Sequence, residues 1–192
     1  IIWNPNAMNK PFEGDTYIKE ELIKLRDKFG LTHCIETGSQ YGSTTLELRN
    51  VFKNVITIEA DKNYYDEAAE RLKETDILCL FGRSETILPL LRDREDVLYY
   101  LDAHGCDIGG CPLKKELEII ALKNNRNVCI AIHDFKVPGK DFGYDTYDYE
   151  LCYEEVGPHI NKIYPDGFDY HYNDLADGAN RGIIYIYPKQ NT

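Results

Sequence analysis

The chain is short of positive charge. Its 192 residues include 22 Lys and Arg against 33 Asp and Glu, which gives a formal net charge of −11. Proteins that bind nucleic acids obtain most of their affinity from basic side chains on phosphates, so neither DNA nor RNA is expected as a partner. The sequence also lacks an apolar run long enough to cross a membrane, and it lacks the start of a secretory signal peptide. No membrane partner is therefore expected, and a small neutral or cationic molecule suits this charge better than a polyanion.

Methionine and tryptophan are scarce, with one residue of each. The chain does not begin with methionine, and its one methionine is Met8. Residues 1–7 are therefore expected to be added sequence, or the chain to be cut from a longer one. The length suggests one domain with a sizeable core. We expect a single domain over residues 1–192, of which residues 1–14 are an extension.

Cys-x-x-Cys motifs are absent. Cys34, Cys79 and Cys129 fall within apolar patterns and are expected in the core of a reduced, cytoplasmic protein. Cys106 and Cys111 flank a glycine loop, and their spacing would admit one pair of zinc ligands. No second pair completes a zinc site in the sequence, so a loop on the substrate side is the preferred interpretation.

Five apolar segments alternate with amphipathic ones. Strands are predicted at 32–36, 55–59, 77–81, 96–101 and 127–132, and helices at 15–29, 43–52, 63–75, 85–91 and 113–123. Such alternation predicts a parallel sheet with helices on both faces. Two further strand patterns, 168–173 and 182–188, are too close for a helical crossover and predict an antiparallel hairpin, with Arg181 in its turn. The predicted fold is a Rossmann-like, doubly wound α/β domain with a mainly parallel sheet of seven strands.

The first predicted strand ends in the pattern Glu36-x-Gly38-x-x-x-Gly42. Glycine at this turn lets the backbone bend sharply and approach a ligand closely. Glu59 ends the second strand, where a carboxylate can accept hydrogen bonds from both hydroxyls of a ribose. The third glycine of a dinucleotide fingerprint is missing, and Glu36 would repel a pyrophosphate. The pattern instead favours a nucleoside that carries an ammonium group.

With these residues the sequence resembles the class I S-adenosylmethionine-dependent methyltransferases over residues 15–188, in particular a branch that methylates hydroxyls of small molecules and sugars. The resemblance implies S-adenosylmethionine as cofactor and a small polyhydroxylated acceptor, a sugar or a natural product. It implies that the cofactor contacts Glu36, Gly38, Ser39, Gln40, Tyr41, Gly42, Glu59, Ala60, Gly82, Arg83, Ser84 and Asp102.

Polar residues also follow the fourth and fifth predicted strands, at the edge where such sheets bind ligands. Asp102 can orient the methionine end of the cofactor or bind a metal. His104 can remove the proton of an acceptor hydroxyl near neutral pH. The alternatives for His104 are a hydrogen bond to a backbone carbonyl in the loop, or ligation of a metal. Asp134 is the other candidate for the proton, so the catalytic candidates are His104, Asp102 and Asp134.

The same resemblance implies a divalent metal ion between the carboxylates after these two strands. Asp102 and Asp134 stand at the matching positions. His133 departs from the family pattern, which has an acidic or amide residue beside this aspartate, and it suits manganese, iron or zinc better than magnesium. The candidate ligands are Asp102, His133 and Asp134, for magnesium or manganese. The other interpretation is that Asp134 caps the next segment and that His133 packs against the cofactor.

Two other functions stay open at this point. One is a metal-dependent hydroxylase or hydrolase on the same fold that uses His104, His133 and Asp134. The other is a cofactor-binding module without catalysis. Residues 138–157 interleave carboxylates with aromatic rings, which suits a lid over a sugar or cationic substrate, or a solvated face with ordinary core tyrosines.

Overall fold

The computed structural model describes residues 9–104, 110–123 and 127–190. The strands are His33–Thr37 (β1), Asn54–Glu59 (β2), Leu78–Phe81 (β3), Val97–Leu101 (β4), Cys129–Ile132 (β5), Phe168–Tyr172 (β6) and Ile184–Pro188 (β7). The α-helices are Tyr17–Phe29 (α1), Ser43–Val51 (α2), Lys62–Leu72 (α3), Ser84–Ile87 (α4), Leu113–Leu122 (α5) and Tyr153–Ile163 (α6). No helix among the described residues is long and apolar enough to span a membrane.

The seven strands form one sheet in the order β3-β2-β1-β4-β5-β7-β6. The first five strands of the chain pair in parallel, and β7 runs antiparallel to both β5 and β6. The predicted fold class, with its closing hairpin, is therefore confirmed. Thr37 pairs with Leu101, and Leu101 with Ile132, so β1, β4 and β5 end at the same level. The residues that follow these three strands consequently meet at one edge of the sheet.

Alternate side chains of β4 enter two separate cores. Val97, Tyr99 and Leu101 pack on one face and Leu98 and Tyr100 on the other, each at most 2 % exposed. Helices α5 and α6 cover the first face, and α1, α2 and α3 contribute to the second. A continuous apolar segment is the pattern of a strand buried on both faces, which is why β4 was readily predicted.

Helix α6 was not predicted from the sequence. Pro158 lies inside it and weakens the helical signal. Val156 and Ile160 are fully buried in the same core as α5, and this burial outweighs the local cost of the proline. Leu151 is also fully buried, so the latter part of residues 138–157 belongs to the core and does not form a detached lid.

Residues 9–16, which we call the strap, precede α1 and pack on the domain. Phe12 is 3 % exposed, and its ring centroid lies 5.9 Å from that of Tyr100 in the core. The backbone N–H of Phe12 donates to Thr44 Oγ1 at 2.9 Å. The described part of the predicted extension, residues 1–14, is thus an integral part of the fold.

Candidate functional site

A cleft opens where β1, β2 and β3 end. It is narrow, with room inside for about 30 Å³, and it opens to solvent. Its lining includes six of the predicted cofactor contacts, namely Gly38, Glu59, Ala60, Gly82, Arg83 and Ser84. The other predicted contacts, Glu36, Ser39, Gln40, Tyr41, Gly42 and Asp102, lie at the ends of β1 and β4 or in the loops that follow. We call this space the β1–β3 cleft.

Gly38 lets two loops touch at the cleft. Its φ is +83°, and a Cβ there would stand 2.4 Å from the carbonyl oxygen of Asp102 and 2.9 Å from Cα of Ala103. Only glycine leaves room for this contact. The sequence analysis assigned this glycine to a close approach of the ligand, whereas the structure places the backbone of the loop after β4 in that space.

Glu59 fastens the loop after β1 to the end of β2. Its side chain is buried, and its two oxygens accept the backbone N–H groups of Gln40 and Asp61, each at 2.8 Å. Burial raises the pKa of Glu59, while these N–H groups lower it. Carboxylate oxygens have two acceptor positions each, so Glu59 keeps capacity for ribose hydroxyls at the cleft.

Glu36 lies below the same loop and is 1 % exposed. Its Oε2 accepts the hydroxyls of Thr45 and Thr57, the latter at 2.6 Å. Burial raises the pKa of Glu36 to about 7, against the lowering effect of these two hydroxyls. Within the described part of the chain, Glu36 Oε1, Thr37 Oγ1 and Ser39 Oγ are buried without a hydrogen-bond partner. Such atoms cost about 1–3 kcal/mol each, so the end of β1 has unused capacity for a polar ligand.

Local contacts hold the other predicted cofactor residues. Tyr41 packs edge-on against Tyr64 with ring centroids 5.1 Å apart, and Gly42, with φ of +76°, precedes α2. Arg83 pairs with Glu85 at 2.6 Å from Nε to Oε1. These contacts shape the walls of the β1–β3 cleft without closing it.

A second group of polar side chains lies beyond β4 and β5. We call it the carboxylate–histidine cluster, and its members are Glu13, Asp102, His104, His133 and Asp134. His133 Nδ1 lies 3.4 Å from Asp102 Oδ1 and 3.3 Å from Asp134 Oδ1. Asp102 directly precedes Ala103, which lines the β1–β3 cleft, so the cluster and the cleft adjoin.

The cluster strongly perturbs the ionisation of its members. Burial would lower the pKa of His133, but the charges of Asp134 and Asp102 raise it well above its usual range. Burial would raise the pKa of Asp134, but His133 and Arg181 hold it well below its usual range. Both His133 and Arg181 therefore favour the ionised form of Asp134, and His133 also lies beside Asp102.

His104 has no exposed side-chain surface. Its Nε2 lies 2.9 Å from the backbone carbonyl oxygen of His133. A hydrogen bond to a backbone carbonyl was one of the alternatives that the sequence left open for His104. Burial would lower the pKa of His104, but a hydrogen bond with Cys111 and the charges of Asp102 and Asp134 raise it to about 9. A general base has to reach the proton and be unprotonated. In this geometry His104 contacts the backbone after β5, and its role as general base stays a prediction.

Arg181 was assigned to a turn, and the structure gives it two ionic partners. Its Nε pairs with Asp134 and its Nη2 with Asp145. Asp134 has a φ of 57°, a left-handed conformation that aspartate tolerates better than most residues. The Arg181 side chain is only 14 % exposed, so this pairing orders the loop after β5.

Two groups of three side chains in the described residues bring possible metal ligands within 4.8 Å of one another. They are Asp102, His104 and Asp134, and Glu13, His133 and Asp134. The predicted trio of Asp102, His133 and Asp134 is distributed over both groups, although His133 Nδ1 is within 3.4 Å of an oxygen of each aspartate, and its role as a metal site stays a prediction. Each group holds one of the two histidines of the hydroxylase alternative, and both groups contain Asp134. Sequence reasoning missed Glu13, for which no motif gives a signal.

The zinc interpretation of the glycine loop gains no support from Cys111. Cys111 accepts a hydrogen bond from Tyr149 at 3.3 Å and is in neither group of possible metal ligands. Cys106 lies outside the described residues.

Among the comparisons with known proteins, the one with solved structures finds matches. No protein-family model and no curated protein matches the sequence. The structure is similar to the S-adenosylhomocysteine-bound methyltransferase PaMTH1 of Podospora anserina, at 15% identity and a TM-score of 0.63, over 97% of this chain and 83% of that one. It is similar to a Bacillus cereus O-methyltransferase in complex with S-adenosylhomocysteine, at 15% identity and a TM-score of 0.62, over 91% and 81%.

A third similar structure is an rRNA methylase of Streptococcus thermophilus, at 12% identity and a TM-score of 0.58, over 99% of both chains. Such likeness at low identity concerns the arrangement of the backbone and leaves the activity to the site. The chain has the fold of the class I S-adenosylmethionine-dependent methyltransferases, as its sequence resemblance predicted.

Proposed function

We propose that this protein is an S-adenosylmethionine-dependent methyltransferase that methylates a hydroxyl of a small polyhydroxylated molecule. The observation that carries the proposal is the contact between the β1–β3 cleft and the carboxylate–histidine cluster. Gly38 and Ala103 line the cleft, and Asp102, whose backbone touches Gly38, belongs to the cluster. Methyl transfer to oxygen requires a nucleoside site next to a site for proton removal, and this contact supports such an arrangement.

The residues of the cleft suit the cofactor. When bound, S-adenosylmethionine supplies an electrophilic methyl group. Glu59 would accept the ribose hydroxyls, and Ser84 would hydrogen-bond the base. Glu36 and Ser39 would meet the ammonium end through atoms that have no partner in the described chain. A carboxyl group with a pKa of about 7 ionises readily beside a bound cation, so Glu36 can respond to this ligand.

The carboxylates of the cluster are proposed to handle the acceptor. The side chains of Asp102 and Asp134 are 23% and 11% exposed, whereas those of His104 and His133 are at most 1% exposed. Asp102, the more exposed of the two, would accept the hydrogen bond of the acceptor hydroxyl and take its proton as the methyl group transfers and S-adenosylhomocysteine is released, while Asp134, paired with Arg181, would help to position the acceptor. The buried side chains of His104 and His133 would position these carboxylates through ionic contacts.

A divalent cation in the cluster is part of the proposal. The donors fit such an ion, because two carboxylate oxygens and one imidazole nitrogen lie within 4.8 Å of one another in each of the two groups. The candidate ligands are Asp102, His104, His133 and Asp134, and such an ion supplies Lewis-acid chemistry toward a hydroxyl oxygen. Mixed oxygen and nitrogen donors favour Mn²⁺ over Mg²⁺.

The proposal of a small-molecule acceptor rests on the net charge of the chain. A net charge of −11 disfavours a phosphate backbone, although one similar structure is an rRNA methylase. Adding a short RNA to the binding assay below tests this part of the proposal, and tight, salt-sensitive RNA binding would contradict it.

Calorimetric titration of the chain with S-adenosylmethionine, S-adenosylhomocysteine and NAD tests the cofactor. We expect micromolar binding of the first two and none of NAD. Glu59→Ala should abolish binding. Glu74→Ala, at an exposed position just after the end of α3, should leave binding unchanged. No binding of either adenosyl compound to the unmodified chain would overturn the proposal.

A further inference from the structure

The strap brings a carboxylate to the cluster from a distant part of the sequence. An oxygen of Glu13, a ring nitrogen of His133 and an oxygen of Asp134 lie within 4.8 Å of one another. We propose that these three side chains bind a divalent cation, with Glu13 as a direct ligand. The inference rests on the proposed function, since it names the ligands of the cation there, and it is tested by binding alone.

The strap is held on the loop before β7. Ala179 N donates to the carbonyl oxygen of Glu13 at 3.2 Å, and the N–H and hydroxyl of Thr16 donate to Asp177 at 2.7 and 2.8 Å. A Cβ on Gly178 would stand 2.6 Å from the Glu13 carbonyl oxygen, so this glycine is needed for the contact. Glu13 itself has a φ of 52°, which the surrounding contacts maintain. Its position beside His133 is thus set by the backbone.

His133 is an independent sign of a missing ligand. It is 1 % exposed, its Nδ1 has only the ionic contacts with Asp102 and Asp134, and its Nε2 has no hydrogen-bond partner within the described residues. Buried polar atoms in folded proteins are nearly always paired. A buried imidazole with carboxylates close by is a common arrangement for binding a metal ion.

The charge around His133 favours a cation. Glu13 feels the negative charges of Asp134 and Asp102 and the positive charges of His133 and Arg181, and Arg181 is already paired with Asp134 and Asp145. A divalent cation bound to neutral His133 would replace the proton of that imidazole as the counter-charge to Glu13 and Asp134. Two carboxylates and one imidazole suit Mn²⁺ better than Mg²⁺, which prefers oxygen ligands alone.

Calorimetric titration of the full chain with MnCl₂ tests the inference. Glu13→Gln keeps the shape of the side chain and removes its charge, and we expect a loss of about 10- to 100-fold in Mn²⁺ affinity. Glu20→Gln, at an exposed position of α1, is the matched control and should bind Mn²⁺ like the unmodified chain. Binding of S-adenosylhomocysteine should be the same in all three proteins.

Gly178→Ala provides a second variant, which keeps Glu13 and displaces the strap. We expect it to lose Mn²⁺ affinity in the same direction, with circular dichroism confirming that it is folded. Unchanged Mn²⁺ binding by Glu13→Gln would overturn the inference. Loss of binding in Asp102→Asn with retention in Glu13→Gln would also overturn it and assign the ion to the other group. An unmodified chain that binds S-adenosylhomocysteine but no Mn²⁺ would overturn the cation site and leave the cofactor proposal standing.

Discussion

The β1–β3 cleft and the carboxylate–histidine cluster adjoin at Asp102 and Ala103, yet they are held by different forces. In the cleft, backbone N–H groups and hydroxyls fasten Glu59 and Glu36, and the contacts link one strand–loop unit to the next. In the cluster, charged side chains from the strap and from the loops after β4 and β5 lie close together, and Arg181 from the loop before β7 pairs with one of them. The cleft is thus built mainly by backbone geometry, and the cluster by long-range ion pairing.

The difference has a consequence for ligands. A cleft fixed by backbone contacts is expected to be largely preorganised, which lowers the entropic cost of binding a ligand. A cluster of charges depends on its cations, so a change of one residue or of a bound ion alters the ionisation of all the others. Substitutions on the two sides should therefore differ in size and in pH dependence.

The largest effect is expected at Asp134, because it pairs with Arg181 and faces His133. Asp134→Ala would leave these two cationic groups short of a buried counter-charge, and we expect a loss of about 3–5 kcal/mol in the free energy of unfolding. Urea denaturation measures it. Asp174→Ala, which removes an exposed ion pair with Lys140, should show no such loss. Equal denaturation midpoints for the two variants would contradict the view that ion pairs hold the cluster.

The backbone side is tested by Gly38→Ala. The added Cβ would collide with Asp102 and the residue would keep an unfavourable φ, so we expect a loss of about 3 kcal/mol and of S-adenosylhomocysteine binding. Gly139→Ala is the matched control, since its φ of +76° is similar but a Cβ there meets nothing within 4 Å. It should lose only about 1 kcal/mol. Similar losses in the two variants would show that the contact of the two loops is unimportant.

Glu36 gives the cleft its own pH dependence. Its pKa is about 7 in the folded chain against 4.5 for the free side chain, so between these values the folded state holds a proton that the unfolded state releases. Its contribution to stability is therefore largest below pH 4.5 and falls by about 2–3 kcal/mol as the pH rises through 7. Glu36→Gln should gain that amount relative to the unmodified chain between pH 5 and pH 8, measured by urea denaturation. A constant difference across this range would contradict the buried, protonated carboxyl group, and Glu74→Gln should track the unmodified chain.

The smallest effect is expected from Thr57→Val. It removes one hydroxyl from Glu36 with little change of shape, and Thr45 remains as a donor. We expect a loss of about 1 kcal/mol and unchanged affinity for S-adenosylhomocysteine, measured by denaturation and calorimetry. A loss of binding as large as that of Glu59→Ala would mean that the threonine contact positions the ligand directly.

Much of the fold could be predicted because its signals are local. Buried strands are continuous apolar runs, and β4 was predicted within one residue of its observed start. Helix α6 was missed because Pro158 obscures a pattern that tertiary packing stabilises. At the site, Gly38, Glu59 and Ser84 lie at or shortly after the ends of strands. Their positions could be predicted from the sequence, because parallel strands bring their carboxyl ends to one edge of the sheet.

The sequence by itself determined the α/β sheet, the position of the β1–β3 cleft and the candidacy of Asp102, His133 and Asp134, because periodicity and strand-end position are properties of short segments. Only the tertiary structure decided that His104 is buried against a backbone carbonyl, that Arg181 pairs with Asp134, and that Glu13 joins the cluster. Glu13 and Asp134 are far apart along the chain, and no local pattern records which distant charges will meet when the strap packs on the domain.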